Sequence, residues 1–557
     1  MERCPAGLSA MQLPTLLALG ALLTGGGLAA GALIPTTPED FRLPGTQAGE
    51  VDPMPFQESL NCAMCHADYD LDVSPTDTWQ GSLMGLAAFD PLFWAQLATA
   101  RQDLEGVGPF CVRCHIPAAV VTDQLDATEA GELEYLAGDG VACHICHSMV
   151  DPVYKPGISP PRDERVLAAL ESDPPTEYGN AMFVLDPEGY RRGARGTTLP
   201  PHVMLESPFH RSGDFCGTCH DVGNVGVERQ SDGTYLYNLL DAPTDAAMPD
   251  LFPLERTYTE WKLSSFANGG VDMGGRFGGD GVTVVQSCQD CHMPRAAGRM
   301  ADHGTDRPDI AKHDFAGASS WVLRIIMRYA QYTGETRVNP RAVRVGIRKA
   351  EEMLRKAASL ELSVQDGELV TRVINESGHK LPTGHIEGRR VWVNVRFYDE
   401  NDALIAERGA YDPFGAELWG DDTTVYEMHV GLSPAAAAVT GLPVGTTSHM
   451  ALANTIEKDN RIPPRGFANA VFEQGGAPVV GATYADGQHW HDTHYLPPPE
   501  ARLAKVAVYY QTVTREYIEA LREGNHTDHW GETLYRLWAA TDKCPPVLMV
   551  AGEISLP

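Results

Sequence analysis

The sequence predicts an α+β protein with an irregular first part: short helices and long loops up to residue 335, a joining helix, then a C-terminal β-sandwich-like domain. Three observations predict this. The pattern Cys-x-x-Cys-His occurs five times and ends at His292. Between Pro340 and Ala358, Val343, Ile347, Ala350, Leu354 and Ala357 fall on one helical face. Beyond that the apolar pattern changes to a period of two.

Taken in chain order, residues 1–32 read as an export signal: Arg3, an apolar stretch from Leu13 to Leu28, and Ala30-Gly31-Ala32 as a small-residue cleavage site. The alternative is an uncleaved N-terminal anchor, the one membrane contact the sequence offers, which Gly25 to Gly27 weaken as a spanning helix. The chain is thus expected outside the cytoplasm, either periplasmic or extracellular at the cell surface. A net charge of −31 argues against nucleic acid as a partner.

Residues 33–335 hold the cysteine pairs. Ten of the twelve cysteines form them: Cys62/Cys65, Cys111/Cys114, Cys143/Cys146, Cys216/Cys219 and Cys288/Cys291. Each pair is followed at once by a histidine, at His66, His115, His147, His220 and His292. With 19 histidines in 557 residues, one follows a given pair by chance about 3% of the time, so five in a row is roughly a one-in-ten-million accident. Two thiols one short turn apart can add to the two vinyl groups on one edge of a haem, and the adjacent histidine then reaches the iron. Five haem c groups, each with iron, are therefore expected, with these five histidines as proximal ligands. Zinc would need the pairs to combine two by two, and five is odd. A disulfide framework does not explain the spacing. Cys4 falls in the signal, and Cys544 stands alone as an expected buried thiol.

Successive proximal histidines are 49, 32, 73 and 72 residues apart, an array and not a strict repeat. The intervening chain, such as Asp151 to Arg162 and the loop from Gly269 to Gly281, is rich in Pro, Gly and Asp. Such segments bury little side-chain surface, so the haems are expected to form the core.

Fourteen further histidines decide the chemistry. An iron with two strong protein ligands passes electrons; one with an open position can bind a small molecule. The candidate distal ligands are His144, inside the third motif, His202 and His210 ahead of the fourth, His303 and His313 after the fifth, and His379. His379 sits in Gly378-His379-Lys380-Leu381-Pro382-Thr383-Gly384, a loop bounded by glycine and proline that could project it towards a haem, with a tight structural turn as the alternative. Met84 reads as a packed methionine before a thioether ligand, and His489, His491 and His494 as a polar loop before a metal site.

The joining helix is assigned to residues 336–358 and the β-rich domain to 359–557. A hairpin turns at Asp366-Gly367; Val391, Val393, Val395 and Phe397 alternate with Trp392, Asn394, Arg396 and Tyr398; Val506, Val508 and Tyr510 continue the pattern. An amphipathic helix around Arg515 to Glu523 closes the chain.

The segments Trp79-Gln80-Gly81-Ser82-Leu83-Met84, Asp90-Pro91-Leu92-Phe93-Trp94, Ser207-Pro208-Phe209 and Cys288-Gln289-Asp290-Cys291-His292-Met293-Pro294, with the five motifs, resemble bacterial multihaem c-type cytochromes. The Gly378–Gly384 loop, Arg461-Ile462-Pro463-Pro464-Arg465-Gly466-Phe467 and Tyr509-Tyr510-Gln511 resemble the β-rich domain often fused to them. The resemblance implies electron relay among redox proteins or from a quinol-linked donor, with an oligomer or filament left open. The alternative is a multihaem oxidoreductase with one open iron acting on a small nitrogen or sulfur compound. No Cys-x-x-Cys-Lys motif occurs, which favours the carrier.

Overall fold

The computed structural model of the chain describes residues 33–197, 201–238 and 242–557; the expected export signal, 1–32, lies outside the described residues. The first part is built from short helices: α1 (Ser59–His66), α2 (Pro91–Asp103), α3 (Gly108–His115), α4 (Cys143–Ser148) and α5 (Gly213–Gly217). A small antiparallel sheet follows, with β1 (Val222–Arg229) between β2 (Leu251–Glu255) and Tyr235–Tyr237. Then come α6 (Thr257–Lys262) and α7 (Cys288–His292). The loop from Gly269 to Gly281 begins a short hairpin in which Val271–Asp272 pairs with Val284–Val285.

Two longer helices lead onward, α8 (Ser320–Thr333) and α9 (Pro340–Ala357). The start of α9 is set by Asn339, whose side chain accepts from the N–H groups of Arg341 and Ala342, and by Pro340 in the first turn. Its buried face is Ala342, Val343, Ile347, Ala350 and Leu354, the stripe expected from the periodicity. Backbones meet closely where α9 crosses Gly81: a Cβ on Gly346 would lie 1.8 Å from the Gly81 carbonyl oxygen.

The C-terminal part is two stacked sheets. One is β3 (Ala358–Gln365), β4 (Glu368–Asn375) and β7 (Trp490–Tyr495), with Asp366 (φ 51°) and Gly367 (φ 84°) making the tight turn between β3 and β4. The other is centred on β5 (Arg390–Tyr398), flanked by β6 (Val425–Leu432) and by β8 (Leu503–Gln511), which in turn pairs with β9 (Val547–Ser555). Leu369, Val373, Val391, Val393, Val395 and Val506 pack in the shared core. Trp392 and Asn394 are buried too, so β5 is covered on both faces; the Trp392 ring lies against Tyr411 and Tyr509.

Two features differ from expectation. The chain does not close at α10 (Arg515–Gly524): α11 (Trp530–Ala540) and the edge strand β9 follow. The first part also has an apolar core of side chains, more than its loop-rich sequence suggests. Leu86, Phe89, Trp94 and Leu97 join Trp321 and Ile326 of α8, and Ile518, Leu521 and Leu534 of α10 and α11, in one apolar cluster. Trp94 stacks on Trp530 at 6.1 Å, and Trp530 Nε1 donates to Thr128 O at 2.9 Å. The C-terminal helices supply the apolar cover that the proline- and glycine-rich segments lack. Among the described residues, no helix is long and apolar enough to cross a membrane.

Candidate functional site

Each Cys-x-x-Cys-His motif ends or forms a short helix, α1, α3, α4, α5 continuing into its turn, and α7. A helical turn puts cysteines three apart on one face with the histidine beside them. Local capping fixes the last two motifs. The Ser212 side chain accepts from Asp214 N–H at the start of α5; Ser287 and Asp290 form a reciprocal capping box at α7. Asp214 also accepts from the Tyr258 hydroxyl at 2.7 Å and pairs with Lys155 at 3.3 Å, anchoring α5 from outside.

Motifs distant in sequence meet in space. The thiols of Cys62 and Cys143, of Cys114 and Cys219, and of Cys216 and Cys288 lie close enough to shift one another's ionisation. The fourth motif therefore touches the second and the fifth, and the first touches the third. Among the described residues every cysteine is a free thiol, including buried Cys544, and no group of three or more His, Cys, Asp or Glu converges as a metal cage.

Cys65 differs from the other attachment thiols. It is exposed, whereas the other nine motif cysteines are partly buried. The cause is the position of α1, which turns one side outward: Leu60 and Met64 on the same helix are 75% and 79% exposed. The backbone at Cys65 is nonetheless held, its carbonyl accepting from Asp302 N–H at 2.8 Å. The first motif thus lies at the rim of the array, with Cys62 turned inward to Cys143 and Cys65 at the surface.

Four of the five proximal histidines share one arrangement. Nδ1 faces an acceptor in His66 (Met300 O, 2.5 Å), His147 (Arg192 O, 2.7 Å), His220 (Glu255 Oε1, 3.1 Å) and His292 (Ala316 O, 2.7 Å). That bond selects the tautomer protonated on Nδ1 and leaves Nε2 as the lone-pair nitrogen, the form a metal requires. His115 stacks on Phe93 at 3.9 Å instead, and burial lowers it to about 4. Burial also lowers His147 and His292. Only His220 is raised, to about 9, by the Glu255 carboxylate overcoming burial.

The other histidines divide by environment. Two imidazoles on opposite sides of one iron place their ring centroids about 6 Å apart, given metal–nitrogen bonds of about 2 Å. His202 lies 6.3 Å from His66, and its buried Nδ1 has no hydrogen-bond partner. His313 and His210 lie 6.3 and 6.0 Å from His147, and burial lowers each to about 3. His313 directs Nδ1 to Ala311 O, whereas His210 bonds Cys146 O through Nε2. His379, lowered by burial to about 4, turns Nδ1 to Lys380 O at 3.1 Å and lies close enough to His292 to feel its charge.

Two candidates are placed differently. His144 is buried with both nitrogens engaged, Nδ1 accepting from Gln57 N–H at 2.8 Å and Nε2 bonded to Gly189 O at 2.9 Å. His303 has a side chain 97% exposed, facing Asp302. Met84 sits in a turn where its carbonyl accepts from Val141 N–H. His491 meets the Tyr426 hydroxyl at 3.2 Å and His494 pairs with Glu368 at 3.0 Å, both in β7.

His385 escaped the sequence reading. It follows Gly384 in the same loop as His379, bonds the Tyr517 hydroxyl through Nε2 at 3.1 Å, and shares the surroundings of Glu255 and His115. Tyr517 in turn bonds Gln96 on α2, one turn from Phe93. The loop is held by charge: Glu260 of α6 accepts from Lys380 N–H at 3.0 Å and the Thr383 hydroxyl at 2.7 Å, and meets Arg461 at 3.0 Å. The residues fit covalently attached haem: paired thiols on one turn at each motif, an Nε2 left free by the bond at Nδ1 in four of them, and buried neutral imidazoles nearby.

No protein-family model matches the chain, and no curated protein matches it. Among solved structures, the chain is similar to the crystal structure of a penta-heme cytochrome c552 from Thermochromatium tepidum, with 17% sequence identity and a TM-score of 0.48, over 91% of this chain and 100% of that one.

Proposed function

We propose that this chain is an exported multihaem c-type cytochrome that relays electrons through five haem c groups held at Cys62/Cys65, Cys111/Cys114, Cys143/Cys146, Cys216/Cys219 and Cys288/Cys291. The observation that carries the proposal is the common setting of the motif histidines: four of five turn Nδ1 to a protein acceptor, which readies Nε2 for iron. Each haem supplies a one-electron iron couple that the axial ligands tune.

The protein's own part is to hold the ligands. His202 is the partner for the haem of His66, His313 for that of His147, and His379 for that of His292. His313 is preferred to His210 because its Nδ1 bond leaves Nε2 free, as in the proximal set. Two imidazoles at each of these three irons favour transfer over substrate binding. The exposure of Cys65 makes the first haem, at the rim, the point where an electron enters or leaves. The net charge of −31 directs the chain towards basic redox partners; a periplasmic or cell-surface setting follows from covalent haem and the N-terminal segment.

The test is a spectroscopic titration of the purified protein with a pyridine haemochrome count. Five haems per chain, low-spin when reduced and inert to carbon monoxide, are expected. Absence of covalent haem would refute the proposal, and one stoichiometric high-spin haem would turn it into an oxidoreductase.

A further inference from the structure

Three proximal histidines give Nδ1 to a backbone carbonyl: His66 to Met300, His147 to Arg192 and His292 to Ala316. His220 gives it to a carboxylate, Glu255 Oε1, at 3.1 Å. The pairing is built into the fold. In the β1–β2 ladder Glu255 stands opposite Val222, two residues after His220, and Tyr258 N–H donates to His220 O at 2.9 Å. The next residue, Arg256, is buried and clamped to Met248 O at 2.6 Å and Leu251 O at 2.8 Å, so the end of β2 has little freedom to move.

A carboxylate is a stronger acceptor than a carbonyl. It draws the Nδ1 proton, the imidazole gains basicity, and Nε2 donates more strongly to the metal, which favours the oxidised iron. We propose, resting on the haem reading above, that Glu255 is a positioning residue that makes the haem of His220 the lowest-potential centre of the array. The location gives this a consequence. The fourth motif touches the second through Cys219 and Cys114 and the fifth through Cys216 and Cys288. A low-potential haem at that junction is the last to fill, so electrons collect on either side of it, and passage between the second and fifth haems becomes an uphill step set by one side chain.

The test uses the full holo-protein with Glu255→Gln, which keeps the shape and removes the charge, and Glu255→Asp, which keeps the charge and shortens the reach. Spectroelectrochemical titration with dithionite as reductant, resolved into five components, is the readout, beside haem count and spin state. The expected result for Glu255→Gln is that the lowest midpoint alone moves upward while the other four, the haem count and the low-spin spectrum stay as in the parent; Glu255→Asp gives a smaller shift of the same component. Unchanged midpoints, a shift of a component other than the lowest, or a common shift of all five would overturn the proposal. A parent protein without covalent haem would instead refute the underlying reading, and the haem count reports that separately.

Discussion

Lys380 and Asp459 form an ion pair with essentially no exposed side-chain surface, Nζ to Oδ2 at 2.7 Å, one residue beyond His379. Arg461 closes the group, meeting Asp459 at 2.7 Å and Glu260 at 3.0 Å, so two cations face two carboxylates in the interior. Removing one member leaves an uncompensated buried charge, which costs about 3–5 kcal/mol. Lys380→Met is therefore expected to lower unfolding stability by that order, measured by denaturant titration. Because the bond to Glu260 comes from the Lys380 backbone N–H, which methionine retains, the same variant should leave the hold on His379 and the haem spin states in place. A loss below about 1 kcal/mol would show that Arg461 alone balances Asp459.

The contact between Gly81 and Gly346 predicts a second effect. A Cβ at position 346 would meet the Gly81 oxygen at 1.8 Å, backbone against side chain with no flexible neighbour to yield. Gly346→Ala forces α9 away from the first part of the chain and should cost about 1–3 kcal/mol as an overpacking change, despite the higher helix propensity of alanine. Gly317→Ala, where nothing lies within 4 Å, is the control and should leave the thermal midpoint in place. Equal midpoints for both variants would mean the crossing is looser than it looks.

These contacts also mark where the sequence is readable. The motif cysteines and histidines lie within five residues of one another, so their chemistry is written locally, and the alternation from Val391 to Phe397 announces β5 directly. The helix α9 was legible for the same reason, through its apolar stripe. Long-range partners were not. Glu260 supports His379 from 119 residues earlier, and Glu255 reaches His220 only because β1 and β2 pair. Nor does the spacing of a motif tell which of its thiols faces outward: Cys65 is exposed because of how α1 lies on the fold, which no neighbour in sequence records. The strand β9 gave no clean signal because it is an edge strand in which exposed and half-buried residues are mixed and only Met549 is fully buried. His385 carried only its neighbourhood to His379 as a clue, and the first part looked poor in core because part of its apolar cover comes from α8, α10 and α11.

The spacing of imidazole pairs predicts which histidines share irons. His202 and His313 each stand 6.3 Å from a proximal ring, and His379 lies near enough to His292 for the charge of His292 to lower it. Each of His202→Ala, His313→Ala and His379→Ala should create one high-spin haem that binds carbon monoxide, leaving four unaffected, as read by absorption difference spectra and magnetic circular dichroism. The effects should add, because three different irons are involved. His303→Ala is the contrast, since a side chain 97% exposed holds no iron and its spectrum should match the parent. A fully low-spin His313→Ala protein would transfer the role at His147 to His210.

The last prediction concerns pH and lies away from the haem ligands. His429 on β6 sits between Glu387 and Glu427, each 3.3 Å from a ring nitrogen, and Lys458 reaches Glu427 at 2.8 Å. The two carboxylates raise His429 from 6.5 to about 9, and the two cations hold Glu427 down from 4.5 to about 2. A raised histidine contributes stability that is complete below its ordinary value and fades as pH climbs through the folded one; a lowered carboxylate contributes above its ordinary value and fades on acidification. Between about 4.5 and 6.5 both contributions are whole. His429→Gln keeps the size and loses the charge, so the gap in unfolding free energy between parent and variant should be widest near pH 6 and close as the parent's histidine deprotonates towards pH 9. With the side chain 31% exposed, solvent screening limits that gap to on the order of 2 kcal/mol. Denaturant titrations of both proteins across this range decide it: a gap that stays constant with pH would mean that His429 contributes through packing and not through charge.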